Sequence, residues 1–204
     1  TNDFASKHSL IAHAHQCTAL KGTANSQRHH MVVHVVDALC REVGFVTEME
    51  PRSFTHINNN RKRPDITIIS AFGSSKPQML DVSIVHPASE SYIRRTARTA
   101  LRNVIQRERT KHTKFDELAE MTGAKFIPLV MESTGGFGRE FDTFLKELAK
   151  QAADTRVASE RDFLRFARTS VAFALQRGNG RLMQQAAAAL RVKYVPAINS
   201  ALAA

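Results

Sequence analysis

Residues 61–87 read RKRPDITIISAFGSSKPQMLDVSIVHP, and the rest of the chain is best understood outward from them. Two apolar runs, Ile66–Ile69 and Met79–Val85, flank a connector from Ser70 to Pro77 that carries Gly73 and Pro77. That pattern predicts a β-hairpin. Each run brings an aspartate that strand propensity alone would not choose: Asp65 opens the first strand, and Asp81 sits inside the second. Side chains alternate along a strand, so Leu80, Val82 and Ile84 share one face while Asp81 and Ser83 share the other. A carboxylate inside a strand is normally paired, protonated or metal-bound. Two of them on adjacent strands repel unless a divalent cation lies between them. A plainer reading stays open at this point: Asp65 follows Pro64 as a turn residue, and Asp81 answers one of the many arginines.

The composition narrows the class. A length of 204 residues suits one medium domain with an appendage, and a hydrophobic fraction of 43% suffices for a core. The formal charge of +10 points to a polyanionic partner, most often nucleic acid. A merely basic or ribosomal protein meets the same description. Two cysteines, Cys17 and Cys40, give no disulfide framework and suit a reducing, intracellular compartment. No run approaches the about 18 apolar residues of a membrane span, so no membrane partner is expected. No signal peptide is recognisable. The opening Thr1 reads as the start of a fragment or processed product.

Three segments follow from patterning: a His-rich segment at 1–26, an α/β domain at 27–154 and a basic helical extension at 155–204. The first holds His13-x-x-x-Cys17, the spacing of half a zinc module, but no Cys-x-x-Cys accompanies it. A solvated His-rich segment is the simpler reading there. From Gln27 to Val43 the stripe Val32, Val36, Leu39 and Val43, widened by Val33 and Cys40, predicts a helix closed by Gly44. Phe45–Glu48 predicts a first strand, with Glu48 and Glu50 near enough in sequence to approach the aspartate pair. Ser91–Met121 predicts a long helix whose inner face carries Ala97, Ala100, Leu101, Val104, Phe115 and Leu118. Lys111 lies in the middle of that face, Lys114 and Glu108 at its edges. A lysine on a core-facing stripe needs a carboxylate or phosphate partner. Arg95, Arg98, Arg102 and Arg109 take the opposite face, as a solvated stripe or as phosphate contacts alongside Arg61, Lys62 and Arg63. Ala124–Met131 predicts a fourth strand, parallel to the third because a helix joins them. Helices follow over Phe141–Leu148, Glu160–Leu175 and Arg181–Leu190, the last two separated at Gly178-Asn179-Gly180. The fold class is α/β with a mixed sheet.

With these elements placed, the chain resembles the PD-(D/E)xK nuclease superfamily. More closely, it looks like the restriction-enzyme-like endonuclease domain of site-specific non-LTR retrotransposon proteins. The residues that carry this are Arg63-Pro64-Asp65, Leu80-Asp81-Val82, Lys111-x-x-Lys114-Phe115 and the run FIPLVMESTGGFG at 126–138. His13-x-x-x-Cys17 with Arg28-His29-His30 resembles the end of the zinc knuckle that precedes that domain. The likeness spans roughly residues 8 to 150. It departs from the superfamily at Ser83, where a lysine usually stands two positions after the second acid. In the retroelement group that lysine is displaced to the next helix, which Lys111 matches.

The resemblance implies a restriction-endonuclease-like core with a mixed four-stranded sheet flanked by helices, plus C-terminal helices. It implies Mg²⁺ or Mn²⁺ at Asp65, Asp81 and the Val82 carbonyl, with Lys111 completing a catalytic set. Zn²⁺ at His13 and Cys17 is implied only if the missing cysteine pair lies upstream. Expected partners are DNA, contacted by Arg61, Lys62, Arg63, Arg95, Arg98, Arg102 and Lys114, and RNA within a larger retroelement complex. The expected reaction is nicking of a chromosomal target, hence a nuclear location. Two other readings compete: an inactive nucleic-acid-binding module of the same fold, as in a ribonucleoprotein, and a dimeric junction resolvase.

Overall fold

A computed structural model describes residues 23–51, 63–70, 76–87 and 99–202. Its elements are α1 (Thr23–Glu42), β1 (Val46–Met49), β2 (Ile66–Ser70), β3 (Gln78–Val85), α2 (Arg102–Met121), β4 (Lys125–Glu132), α3 (Arg139–Asp154) and α4 (Glu160–Leu202). One four-stranded sheet has the order β1-β2-β3-β4. The first two pairings are antiparallel and β3–β4 is parallel. The protein is therefore α/β with a mixed sheet flanked by helices, and β2–β3 is the hairpin read from the sequence.

Alternation along the strands builds two unequal faces. Ile66 and Ile68 of β2, Leu80 and Val82 of β3, and Ile127, Leu129 and Met131 of β4 enter one large apolar cluster. That cluster also takes the stripe Val32–Val43 of α1, Phe141 to Ala152 of α3, and Phe163 to Leu175 of α4. The basic C-terminal helix thus shares the core of the sheet. On the opposite face, among the described residues, α2 covers two small clusters: Met79, Phe115, Leu118, Ala119 and Phe126, and separately Val85, Val104 and Val130. Asp81, Ser83, Asn103, Glu108 and Lys111 are buried polar or charged residues of the α2–β3 layer.

Two helix boundaries differ from the sequence reading. The described part of the long helix begins at Arg102, because Leu101 adopts a left-handed backbone (φ 57°) that a continuing helix cannot include. Ala100 is accordingly exposed in a turn, and Ala97 lies outside the described residues. At Gly178-Asn179-Gly180 the expected break is absent, and α4 runs through it. The glycine serves close approach: a Cβ at Gly178 would lie 2.6 Å from Arg28 Cγ and 2.9 Å from its Cα. Asn179, 3% exposed, accepts from Arg28 Nη1 at 3.1 Å and donates to the Ser133 carbonyl at 2.8 Å. Polarity in this tripeptide marks a buried helix contact instead of a turn.

Candidate active site

The site grows from a mismatch in strand length. β2 pairs with β3 only through Ile66↔Leu80, Thr67↔Met79 and Ile68↔Gln78. One further backbone bond, Asp65 N–H to the Leu80 carbonyl at 3.0 Å, falls one residue out of that register and ties Asp65 to the end of the pairing. Beyond it, β3 runs on to Val85 alongside β4, and among the described residues no strand pairs with its edge toward β2. A bare edge leaves main-chain donors and acceptors that must find partners. Asp65 Oδ2 accepts from the Val82 N–H at 2.7 Å. The Val82 carbonyl lies 3.2 Å from His29 Nε2, which also lies 3.1 Å from Asp65 Oδ2. Both partners accept, so Nε2 carries the hydrogen and donates to each.

Asp81 points from β3 toward α2, where Lys111 Nζ stands 2.5 Å from its Oδ2. The two residues are only 5% and 9% exposed. Lys111 therefore has the carboxylate partner that its place on the core stripe required. At that distance the ammonium and the carboxylate form a buried ion pair. Burial, then the neighbouring charge of Asp65, raise the Asp81 pKa above the usual carboxylate value, with Lys111 opposing them. For His29, burial works against the imidazolium. The hydrogen bond and charge of Asp65, helped by the Val82 carbonyl and Asp81, outweigh it and raise the pKa.

One turn before Lys111, Arg107 Nε donates to Ser83 Oγ at 2.9 Å. The helix and strand thus meet in step: Lys111 over Asp81, Arg107 over Ser83. One helical turn rises about 5.4 Å and two strand residues about 6.6 Å, so the pairs stay in register. A pocket of about 400 Å³ opens beside them, lined among others by Arg28, His29, Ser83, His86, Arg107 and Lys111.

The remaining sequence candidates fall elsewhere. The Glu50 carboxylate pairs with Arg63 Nη2 at 2.7 Å and lies 3.6 Å from His30 Nε2, and the Glu50 N–H donates to the Asp65 carbonyl at 2.8 Å, so Glu50 meets that aspartate through its backbone and not through its carboxylate. Arg63 is thereby engaged by a carboxylate. Lys114 lies over the Phe115 ring, 4.6 Å from its centroid, and is exposed, as are Arg102 and Arg109. Arg61, Lys62, Arg95, Arg98, His13 and Cys17 lie outside the described residues. His29 and Arg107 were not singled out as site residues from the sequence. Both were findable by helical spacing, His29 three residues before Val32 and Arg107 four before Lys111.

The donor set suits a hard divalent cation. Asp65 and the Val82 carbonyl lie together at the end of the β2–β3 pairing, and the charge of Asp65 reaches Asp81. Among the described residues no group of three or more His, Cys, Asp or Glu side chains is placed to hold a metal. Mg²⁺ commonly takes one or two carboxylates and fills its shell with water and substrate phosphate, so such a group is not required. Among the described residues no helix is long and apolar enough to cross a membrane. Compared with models of known protein families and with curated proteins, the chain matches none.

Proposed function

We propose that the chain is a metal-dependent DNA endonuclease with a restriction-endonuclease-like core, acting to nick a target site as part of a retroelement protein. The observation that carries this reading is the contact of Lys111 with Asp81 across the α2–β3 layer, with the charge of Asp65 close enough to act on Asp81. These are the two acids and the lysine that the resemblance implies. Asp65, Asp81 and the Val82 carbonyl would hold Mg²⁺ or Mn²⁺, whose chemistry is to polarise the scissile phosphate and lower the pKa of bound water.

The chain's own residues do the rest. Lys111 offers a fixed positive charge to the negative charge that develops on the attacked phosphate. His29 orients the Asp65 carboxylate through its Nε2–H. The basic groups around the pocket draw in the polyanionic strand. Supercoiled plasmid incubated with Mg²⁺ should be nicked, and EDTA should stop it. Absence of nicking in Mg²⁺ and in Mn²⁺ overturns the reading.

A second reading has its own support. Lys111 and His29 already neutralise the two carboxylates from within. An inactive nucleic-acid-binding module would be content with that arrangement. It predicts duplex binding, steeply weakened by salt, with no cleavage in either metal.

A further inference from the structure

The pocket beside the acids has a composition that the two carboxylates and Lys111 do not explain. Among the described residues its lining includes Arg28, His29, His86, Arg107 and Lys111 and no carboxylate. A cavity lined by two guanidinium groups, Arg28 and Arg107, is suited to an anion. Arg107 is the group whose geometry says most. It is exposed, and its Nε donates to Ser83 Oγ, its one described contact. A guanidinium held by Nε keeps its two Nη groups as a planar fork, the arrangement that binds phosphate oxygens in pairs. Ser83, 6% exposed, fixes the plane of that fork from below. The serine that departs from the superfamily pattern is therefore the seat of an arginine. From the other wall, Arg28 is held by Asn179 of α4 and Asn25 of α1.

Resting on the nuclease reading, we propose that this pocket is a second phosphate subsite, taking the backbone phosphate next to the one that Lys111 faces, with Arg107 as its anchor. The step from Lys111 to Arg107 along α2 is one turn, about 5.4 Å, comparable with the step between consecutive phosphates of an extended strand. Asp81–Lys111 and Ser83–Arg107 then form two rungs, one for the reacting phosphate and one for its neighbour. The second rung fixes where along the strand the first one acts. Arg107 is a positioning residue in this scheme.

The test reads binding without cleavage. The full chain in EDTA is titrated with inorganic phosphate while amide resonances of Ser83 and Arg107 are followed by NMR. Phosphate should move both. Arg107→Ala should weaken that binding by about tenfold, the scale of losing a charge-assisted hydrogen bond. As an exposed side chain Arg107 can be removed without loss of the fold, which unchanged resonances at the far strand β1 would verify. A fluorescent duplex then separates backbone phosphate from free phosphate. Arg107→Ala should lower the slope of log affinity against log salt by about 0.9, the value for one phosphate contact. Phosphate shifts confined to other residues, or an unchanged salt slope, overturn the subsite. Both binding effects without any plasmid nicking would uphold the subsite and remove the nuclease reading alone.

Discussion

The two faces of the sheet are built by the same alternation and serve different ends. The face under α1, α3 and α4 is continuous apolar packing, from Val32 to Leu175. The face under α2 has two small clusters, and the acid-lysine pair and its polar neighbours share that layer. Two polar atoms of buried residues on that side, Thr67 Oγ1 and Asn103 Nδ2, have no hydrogen-bond partner among the described residues. Each such group costs free energy that an apolar side chain would not. The contrast separates two roles: one face holds the fold together, and the other maintains a buried ion pair that packing alone would not favour.

Three substitutions sharpen the contrast. Phe141→Ala, on the continuous face, should cost about 3–5 kcal/mol of stability in a denaturant titration, the range for truncating a buried aromatic. A loss below 1 kcal/mol would show that the face is not one packed unit. Across the sheet, Lys111→Met alone leaves Asp81 buried without its cation and should cost up to about 3 kcal/mol. Combining it with Asp81→Leu should restore stability to at least the starting level, because an apolar pair avoids both desolvation costs. A double variant as unstable as the single one would mean that the ion pair is structural, and the contrast between the faces would fail.

The smallest effect lies where the two sides join. His112 of α2 contacts Asp116 and Glu140 of α3, each at 2.8 Å. Burial disfavours its charge, but these two carboxylates prevail and raise its pKa. A histidine whose folded pKa is raised binds protons more tightly when native. Its contribution is therefore complete below the unfolded value, about 6.5, and fades as pH rises through the folded pKa. The melting temperature of His112→Gln should fall short of the native chain most at pH 5.5 and least at pH 8.5. A gap that widens with pH contradicts the assignment.

Much of the fold was legible because periodicity and turn chemistry agree along this chain. The α1 stripe, the hairpin and the parallel fourth strand each repeat one pattern without conflict. Lys111 was legible for the opposite reason: it violates the stripe on which it sits, and the violation called for a carboxylate or phosphate partner, which the structure supplies as Asp81. The tripeptide Gly178-Asn179-Gly180 misled because local propensity cannot register a partner 150 residues away. Only the approach of Arg28 explains it. His29 escaped notice because its role depends on β2 ending before β3 does, and strand pairing lengths are not written in either strand alone. The contact of Arg107 with Ser83 depends likewise on the crossing of α2 over β3.

The central claim is that the polar face cleaves a phosphodiester backbone, and it is tested most directly by plasmid nicking in Mg²⁺ across a set of single variants. Asp81→Ala should abolish nicking. Lys111→Ala should slow it by about 10²–10³, the scale for one positioned electrostatic group, while duplex affinity stays nearly constant. Lys114→Ala, from the exposed edge of α2, should be far milder. Equal nicking by the native chain, Asp81→Ala and Lys111→Ala would contradict the account.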